Sequence, residues 1–391
     1  MSVSEYYDVK RFTAVLRGQP VEFCSKRGIP NWWRVTAGTV LLADAVRTSP
    51  GARILVLGCD HGALGVALAR TVPRGEVVLT DTSYIAVKMA EMTVNANRLP
   101  NVTVSSAISQ LPSNANAFDA ACMRLPKGRQ STRRWLLEAF LALRVDGRLY
   151  LAGPTGEGAK SAVEDMRALF GNAEVAGYRS GERAAVAVKT GPEPGIDGWT
   201  KEDGIRPGTW VEFEAELCGN RLRLRTLPGV FAHHRVDPGT RLLIENMEIP
   251  RTARVLDLGC GSGVIGVSAA EMGASHVDLV DADLCSVSAA RENVVINEAS
   301  NAVAFPSDLF SAVLDREYDV ILSNPPFHAG KATDFSVASA LVAQARQVLG
   351  PGGKLIIVSN ESLGYAQQLQ AAFGKVKCLR RDRGYVVLSA E

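Results

Sequence analysis

The chain has 391 residues, of which 47% are hydrophobic and 21% charged, with a formal net charge of +2. That length exceeds one ordinary core and fits two domains, while the composition excludes extensive disorder. No stretch near Met1–Arg11 has a signal-peptide core and no run approaches a membrane span; the seven cysteines and five histidines lack Cys-x-x-Cys pairs and ligand spacing, so a reduced, cytoplasmic protein is expected, with no membrane contact and no metal.

Reading forward, Ile54–Leu57 is an apolar strand that runs into the glycine-punctuated turn Gly58-Cys-Asp-His-Gly62 and then a helical pattern. Further strands are predicted at 76–80, 119–122 and 148–152. Within this half, Arg124, Lys127, Arg129, Arg133 and Arg134 crowd into eleven residues. Residues 1–195 hold 24 Lys and Arg against 17 Asp and Glu, a balance of +7, and residues 196–391 hold 19 against 24, or −5. The basic half is the better docking surface for a polyanion. A charge run is also commonly just a solvated loop and helix start. Trp32-Trp33 suits either stacking on bases or packing.

Thr190-Gly-Pro-Glu-Pro-Gly-Ile-Asp-Gly198 is dense in breakers and reads as a linker. The expected organisation is a domain over 1–190, a linker over 191–210 and a domain over 211–391. Val211–Leu227 alternates around Gly219-Asn220, a hairpin pattern, and strands follow at 254–258, 276–280, 319–322 and 354–358, with a closing hairpin over Lys375–Leu388.

The second half repeats the first. Val255-Leu-Asp-Leu-Gly-Cys-Gly-Ser-Gly263 matches the earlier glycine turn at an offset of 201, as do Arg34-Val35 with Arg235-Val236 and Gly65 with Gly266. Downstream, at an offset of 200, Asp81 pairs with Asp281 and Phe118-Asp119 with Tyr318-Asp319. A period this long means two folds, not a solenoid. Alternating strands and helices imply an α/β fold with a mostly parallel sheet in each copy.

The chemistry-bearing residues lie in the second copy. Gly259, Gly261 and Gly263 follow a buried strand and precede a helix, where a backbone can approach a ligand closely. Asp281 ends the next strand, placed to accept hydrogen bonds from ribose hydroxyls. Asp257, just before the glycines, would repel a pyrophosphate but can face an ammonium group, which argues against a dinucleotide. Val320–Leu322 is a strand stopped by Asn324-Pro325-Pro326. The Asn324 carboxamide oxygen and the Pro325 carbonyl, beside the Phe327 ring, suit a planar amine. A strand followed by a Pro-Pro turn is the plainer reading of those residues.

Asn-Pro-Pro-Phe, followed by His328 and Gly330, resembles the motif of amino-group methyltransferases that use S-adenosylmethionine. The tandem layout is similar to the RsmC-type family of small-subunit ribosomal RNA guanine-N2 methyltransferases. The resemblance implies two class I methyltransferase domains, Rossmann-like with seven-stranded sheets, the first degenerate and the second catalytic. It implies S-adenosylmethionine as cofactor and ribosomal RNA or a ribosomal subunit as partner, with the chain acting as a monomer. It puts Asp257 and the three glycines around the methionine end, Asp281 on the ribose, Asp308 near the adenine amine, and Thr240 and Asn324 at the cofactor. Ser307-Asp308 equally fits a helix cap. Large-subunit guanine-N2, protein-glutamine and adenine-N6 methylation, and a non-catalytic RNA-binding assembly factor, stay open on the motifs alone. In the first copy Val56 replaces Asp257, Asp60 replaces Gly261, and Arg124-Leu-Pro-Lys127 replaces the catalytic tip. Catalysis there is not expected, and the arginine cluster becomes a candidate RNA-docking surface.

Overall fold

The structure, a computed structural model, describes residues 3–109, 114–325 and 335–391. It resolves into two compact units, Val9–Trp210 and Val211–Glu391, the latter joined by Met1–Asp8. The first eight residues thus belong with the second unit, against the expected grouping of 1–190. They include helix α1 (Val3–Tyr7), whose side chains pack on a later helix of that unit.

The first unit starts with a hairpin, β1 (Lys10–Leu16) and β2 (Gln19–Ser25), and helix α2 (Ala37–Ala45). The alternation β3 (Arg53–Leu57), α3 (Ala63–Ala69), β4 (Glu76–Thr80), α4 (Tyr84–Ala96), β5 (Val102–Ser105), β6 (Phe118–Arg124), α5 (Arg129–Ala142), β7 (Leu143–Pro154) and α6 (Ala159–Phe170) follows. A closing hairpin, β8 (Glu174–Arg179) and β9 (Glu182–Val188), completes a seven-stranded sheet of order β5-β4-β3-β6-β7-β9-β8. Five strands run parallel and the hairpin adds antiparallel.

The second unit repeats this: hairpin β10 (Val211–Leu217) and β11 (Asn220–Thr226), α7 (Pro238–Asn246), β12 (Arg254–Leu258), α8 (Val264–Glu271), β13 (His276–Asp281), α9 (Leu284–Ile296), β14 (Ala302–Pro306), β15 (Tyr318–Ser323), α10 (Phe335–Val348), β16 (Leu349–Asn360), α11 (Tyr365–Phe373), β17 (Val376–Asp382) and β18 (Tyr385–Ala390). Its sheet order, β14-β13-β12-β15-β16-β18-β17, is the same. The hairpin turn is Cys218-Gly219, not Gly219-Asn220. Both turn residues take positive φ, 50° and 83°, as Arg17 and Gly18 do at 52° and 74°.

Each sheet is covered on both faces. Val255, Val277, Val320 and Leu322 pack with Leu243 and Val267 on one face, and Leu256, Val280, Ile321 and Leu355 with Leu341 and Leu369 on the other. Burial on both sides explains why these strands read as continuous apolar runs. The helix caps are duplicated too: Thr36 and Asp237 accept from the amides of Thr39 and Thr240, and Ser83 and Asp283 from those of Ala86 and Ser286. The one-residue change of offset falls between Gly65 and Asp81, in the turn after the first crossover helix, where an insertion disturbs no strand. Among the described residues no helix is long and apolar enough to cross a membrane.

Candidate active site

Period-two alternation puts Asp257 on the same face of β12 as Val255, toward α8. Its side chain is fully buried, and Oδ2 accepts the Gly266 amide at 2.8 Å. The carboxylate therefore braces the start of α8 through Oδ2, a role that the sequence reading, which placed it toward a ligand ammonium, did not include. Oδ1 is buried without a hydrogen-bond partner among the described residues. Burial, opposed by the Gly266 bond and reinforced by Asp281, raises its pKa to about 7.

The glycine loop turns over the tips of β12 and β13. The amides of Gly259 and Cys260 donate to the Val280 carbonyl, and that of Gly261 donates to Asp281 Oδ2 at 2.9 Å. Asp281 Oδ1 accepts the Asp283 amide at 2.8 Å, so loop and carboxylate fix each other. Burial, then Asp283, raises the Asp281 pKa to about 6. Among the described residues, a Cβ built on Gly259 or Gly261 meets nothing within 4 Å. Gly263 serves packing instead, since a Cβ there would lie 3.0 Å from Ala290 and Leu279.

Asn324 follows β15, which pairs with β12 through Leu322 and Asp257. Ser323 Oγ donates to the Leu258 carbonyl at 2.7 Å and pins the strand end beside the glycine loop. Asn324 Nδ2 donates to Thr240 Oγ1 at 2.9 Å and to Asp237 Oδ2 at 3.3 Å. A carboxylate only accepts, so Asp237 fixes which way the amide points. The opposite atom, Oδ1, is buried with no hydrogen-bond partner among the described residues. Pro325 is buried next to it. Phe327 lies outside the described residues, as do Pro326, His328 and Gly330.

Thr240, expected at the cofactor, accepts the Asn324 amide through Oγ1. Asp237 was missed as a site residue, although Asp followed by Pro238 at a helix start is a readable cap signal. Asp308 caps no helix. It follows β14, whose Pro306 lies in register with Asp281, and its Oδ1 accepts from Tyr6 at 2.7 Å.

The first copy keeps the backbone and fills the space. Asp60 holds φ 49° where Gly261 holds 54°, and its amide donates to Asp81 as that of Gly261 does to Asp281. Over Gly58, however, a Cβ would meet Trp135 at 3.0 Å and Arg124 at 3.1 Å; over Gly38 it would fall 1.6 Å from Arg124 Nη1 and 2.0 Å from Glu182. Arg124, at the position of Asn324 in the second copy, is paired with Glu182 at 2.8 Å, while Thr39 keeps the position of Thr240.

The arginine cluster, expected as a docking surface, is partly engaged within its own unit, with Arg129 still 57% exposed. Arg124 is ion-paired and largely buried, Arg129 and Arg133 each grip Asp165 through two nitrogens at 3.0–3.2 Å, and Arg134 is buried. Of the five, Lys127 is exposed without an ion pair among the described residues. Trp32 packs edge-on against Phe12, while Trp33 is half exposed.

A glycine loop at the strand tips of a seven-stranded sheet of this order is the frame of a class I S-adenosylmethionine-dependent methyltransferase, and this enzyme is of that class; the unpartnered carboxamide oxygen beside the loop suits an amine. The methyltransferase small domain model matches residues 20–181 and again 221–389. A ribosomal RNA small subunit methyltransferase C of Pseudomonas entomophila is 33% identical over 278 residues, 70% of this chain and 79% of that protein. One from Chromohalobacter salexigens is 40% identical over 185 residues, 46% of this chain and 54% of that protein. The solved structure of the Thermus thermophilus enzyme, "16S rRNA N2 G1207 methyltransferase (RsmC) in complex with AdoMet and Guanosine", superposes over 100% of both chains with a TM-score of 0.82 and 29% identity. The chain belongs to the ribosomal RNA small subunit methyltransferase C family.

Proposed function

We propose that the second unit methylates the exocyclic N2 of a guanine in small-subunit ribosomal RNA, at the nucleotide corresponding to the one named for the Thermus thermophilus relative. The observation that carries this reading is the unpartnered Asn324 Oδ1. An unmet acceptor in a buried site costs about 1–3 kcal/mol, and an amine N–H is the donor that satisfies it.

The residues present fit S-adenosylmethionine. Gly259 and Gly261 leave room for its backbone-side approach, Asp281 accepts ribose hydroxyls, Asp308 accepts the adenine amine, and Asp257 Oδ1 adds negative potential beneath the loop. When bound, the cofactor supplies a methyl group activated by a sulfonium. The chain's part is orientation. Asn324 Oδ1 and the Pro325 carbonyl each accept one N2 hydrogen, so the nitrogen pyramidalises and its lone pair leaves the ring's conjugation. The base must leave its stem or loop to enter, and the stacking role is assigned from the sequence to Phe327, outside the described residues. No strong base is required, because N2 acidifies as the bond forms and the proton passes to solvent. Alignment of this kind contributes on the order of 7–11 kcal/mol.

The first unit, with its cradle filled, is proposed as a non-catalytic partner domain. The test is transfer of labelled methyl to small-subunit ribosomal RNA, followed by identification of the modified nucleoside. N2-methylguanine supports the reading; methylated adenine or protein glutamine overturns it.

A further inference from the structure

Helix α1 stands apart in the chain from the unit it packs on, and it reaches the cofactor site through two adjacent tyrosines. Tyr6, 2% exposed, donates to Asp308 Oδ1 at 2.7 Å. Tyr7 donates to the Asp308 backbone carbonyl at 3.0 Å and to Gln344 Oε1 on α10 at 2.9 Å. The two rings meet edge to face, with centroids 5.0 Å apart. Asp308 is itself buried, at 8% exposure, and its amide donates to Ser311 Oγ at 3.1 Å. The residue before it, Ser307, donates its amide to the Asp281 carbonyl at 2.9 Å, so Asp308 sits at the sheet edge next to the ribose-binding carboxylate. Both the side chain and the peptide of Asp308 are therefore gripped from α1.

We infer that Tyr6 and Tyr7 are positioning residues for the cofactor's purine: they hold the Asp308 carboxylate in the one orientation that accepts an exocyclic amine, which makes α1 a working wall of the adenine subsite. The inference rests on the assignment of Asp308 to the adenine amine. A phenol donates to one carboxylate oxygen and so fixes the plane of the other. A fixed acceptor discriminates sharply, because a purine bearing a carbonyl at the same place sets oxygen against oxygen. Removal of the phenol hydroxyl leaves the carboxylate able to rotate, and both affinity and discrimination fall.

The test is calorimetric titration of the full chain with S-adenosylhomocysteine and with S-inosylhomocysteine, its deaminated counterpart. Wild type prefers the adenosyl ligand. In Tyr6→Phe the adenosyl affinity falls about tenfold and the preference narrows by a similar factor. Deletion of residues 2–8 does the same or more, and cofactor KM rises while kcat stays near wild type. Asp308→Asn loses the preference. If Asp308→Asn loses it but Tyr6→Phe and the deletion keep wild-type selectivity, the positioning role is wrong while the Asp308 assignment stands. If Asp308→Asn keeps wild-type affinity and selectivity, the assignment fails and the inference with it. Thermal melting of each variant accompanies the titrations: a lowered melting temperature with unchanged selectivity marks α1 as packing only and overturns the proposal.

Discussion

Asn324 Nδ2 lies 2.9 Å from Thr240 Oγ1, and this bond, with the Asp237 carboxylate at 3.3 Å, fixes the amide so that Oδ1 is the atom left without a hydrogen-bond partner among the described residues. Thr240 is then a residue of the chemical step more than of cofactor affinity. Thr240→Val, nearly isosteric, is expected to lower kcat about tenfold, the size of one oriented hydrogen bond, with cofactor affinity almost unchanged. Thr240→Ser keeps the hydroxyl and restores the rate. A raised cofactor KM at unchanged kcat would place the hydroxyl on the cofactor instead.

Cofactor affinity should depend on pH through Asp281 and Asp257. Burial raises both pKa values, to about 6 and about 7. A carboxyl whose folded pKa is raised opposes folding as pH climbs from its unfolded value, about 4, through the folded one. The unliganded chain therefore loses this contribution to its stability across that window. Ribose hydroxyls prefer an ionised Asp281, and a cationic cofactor prefers the negative potential of an ionised Asp257 beneath the loop, so binding strengthens over the same range. The melting-temperature increase on adding cofactor should be larger at pH 8 than at pH 5.5, and Asp281→Asn should weaken binding and flatten that dependence.

Because Arg124, Trp135 and Glu182 fill the first cradle, titration should give one cofactor per chain. Asp281→Ala should abolish that single event rather than leave a second one behind. Residual binding of undiminished stoichiometry would show that the first copy opens.

Asp278, fully buried on β13, accepts from Tyr318 at 2.5 Å, Arg316 at 2.7 Å and His276 at 3.0 Å. Burial alone would raise its pKa, but those three bonds outweigh it and hold the carboxyl below its ordinary range. A depressed carboxylate pKa gives stability that is present above the unfolded value and lost as pH falls through the folded one. Asp278→Asn is expected to cost roughly 3 kcal/mol at neutral pH, and the difference from wild type should shrink in acid denaturation below about pH 4.

Much of this was legible in the residues, and the exceptions have physical reasons. The central strands announce themselves because burial on both faces leaves unbroken apolar runs, as at Ile54–Leu57. The edge strands Val102–Ser105 and Ala302–Pro306 are short and half exposed, with no such run to read. The hairpin at Val211–Thr226 is marked by Gly219-Asn220, whereas its twin at Lys10–Ser25 turns on Arg17-Gly18, a weaker turn signal because arginine seldom takes the positive φ needed there. Local spacing exposed the glycine cradle and Asn324. It could not expose Tyr6 on Asp308, 302 residues away, nor Asp165 and Glu182 pairing with three of the arginines from 32 to 58 residues away. For Asp257 the spacing pointed to a carboxylate beside the glycines; it could not show that alternation along β12 also turns it under α8, where it accepts the Gly266 amide.

The measurement that bears most directly on the account is single-turnover methyl transfer by Asn324→Ala to small-subunit ribosomal RNA, with cofactor affinity followed in parallel by calorimetry. Loss of the acceptor should slow transfer by at least about 10²–10³, as removal of one preorganised hydrogen-bonding group does elsewhere, with cofactor affinity within a few-fold of wild type. Transfer at a near wild-type rate in that variant would contradict the account.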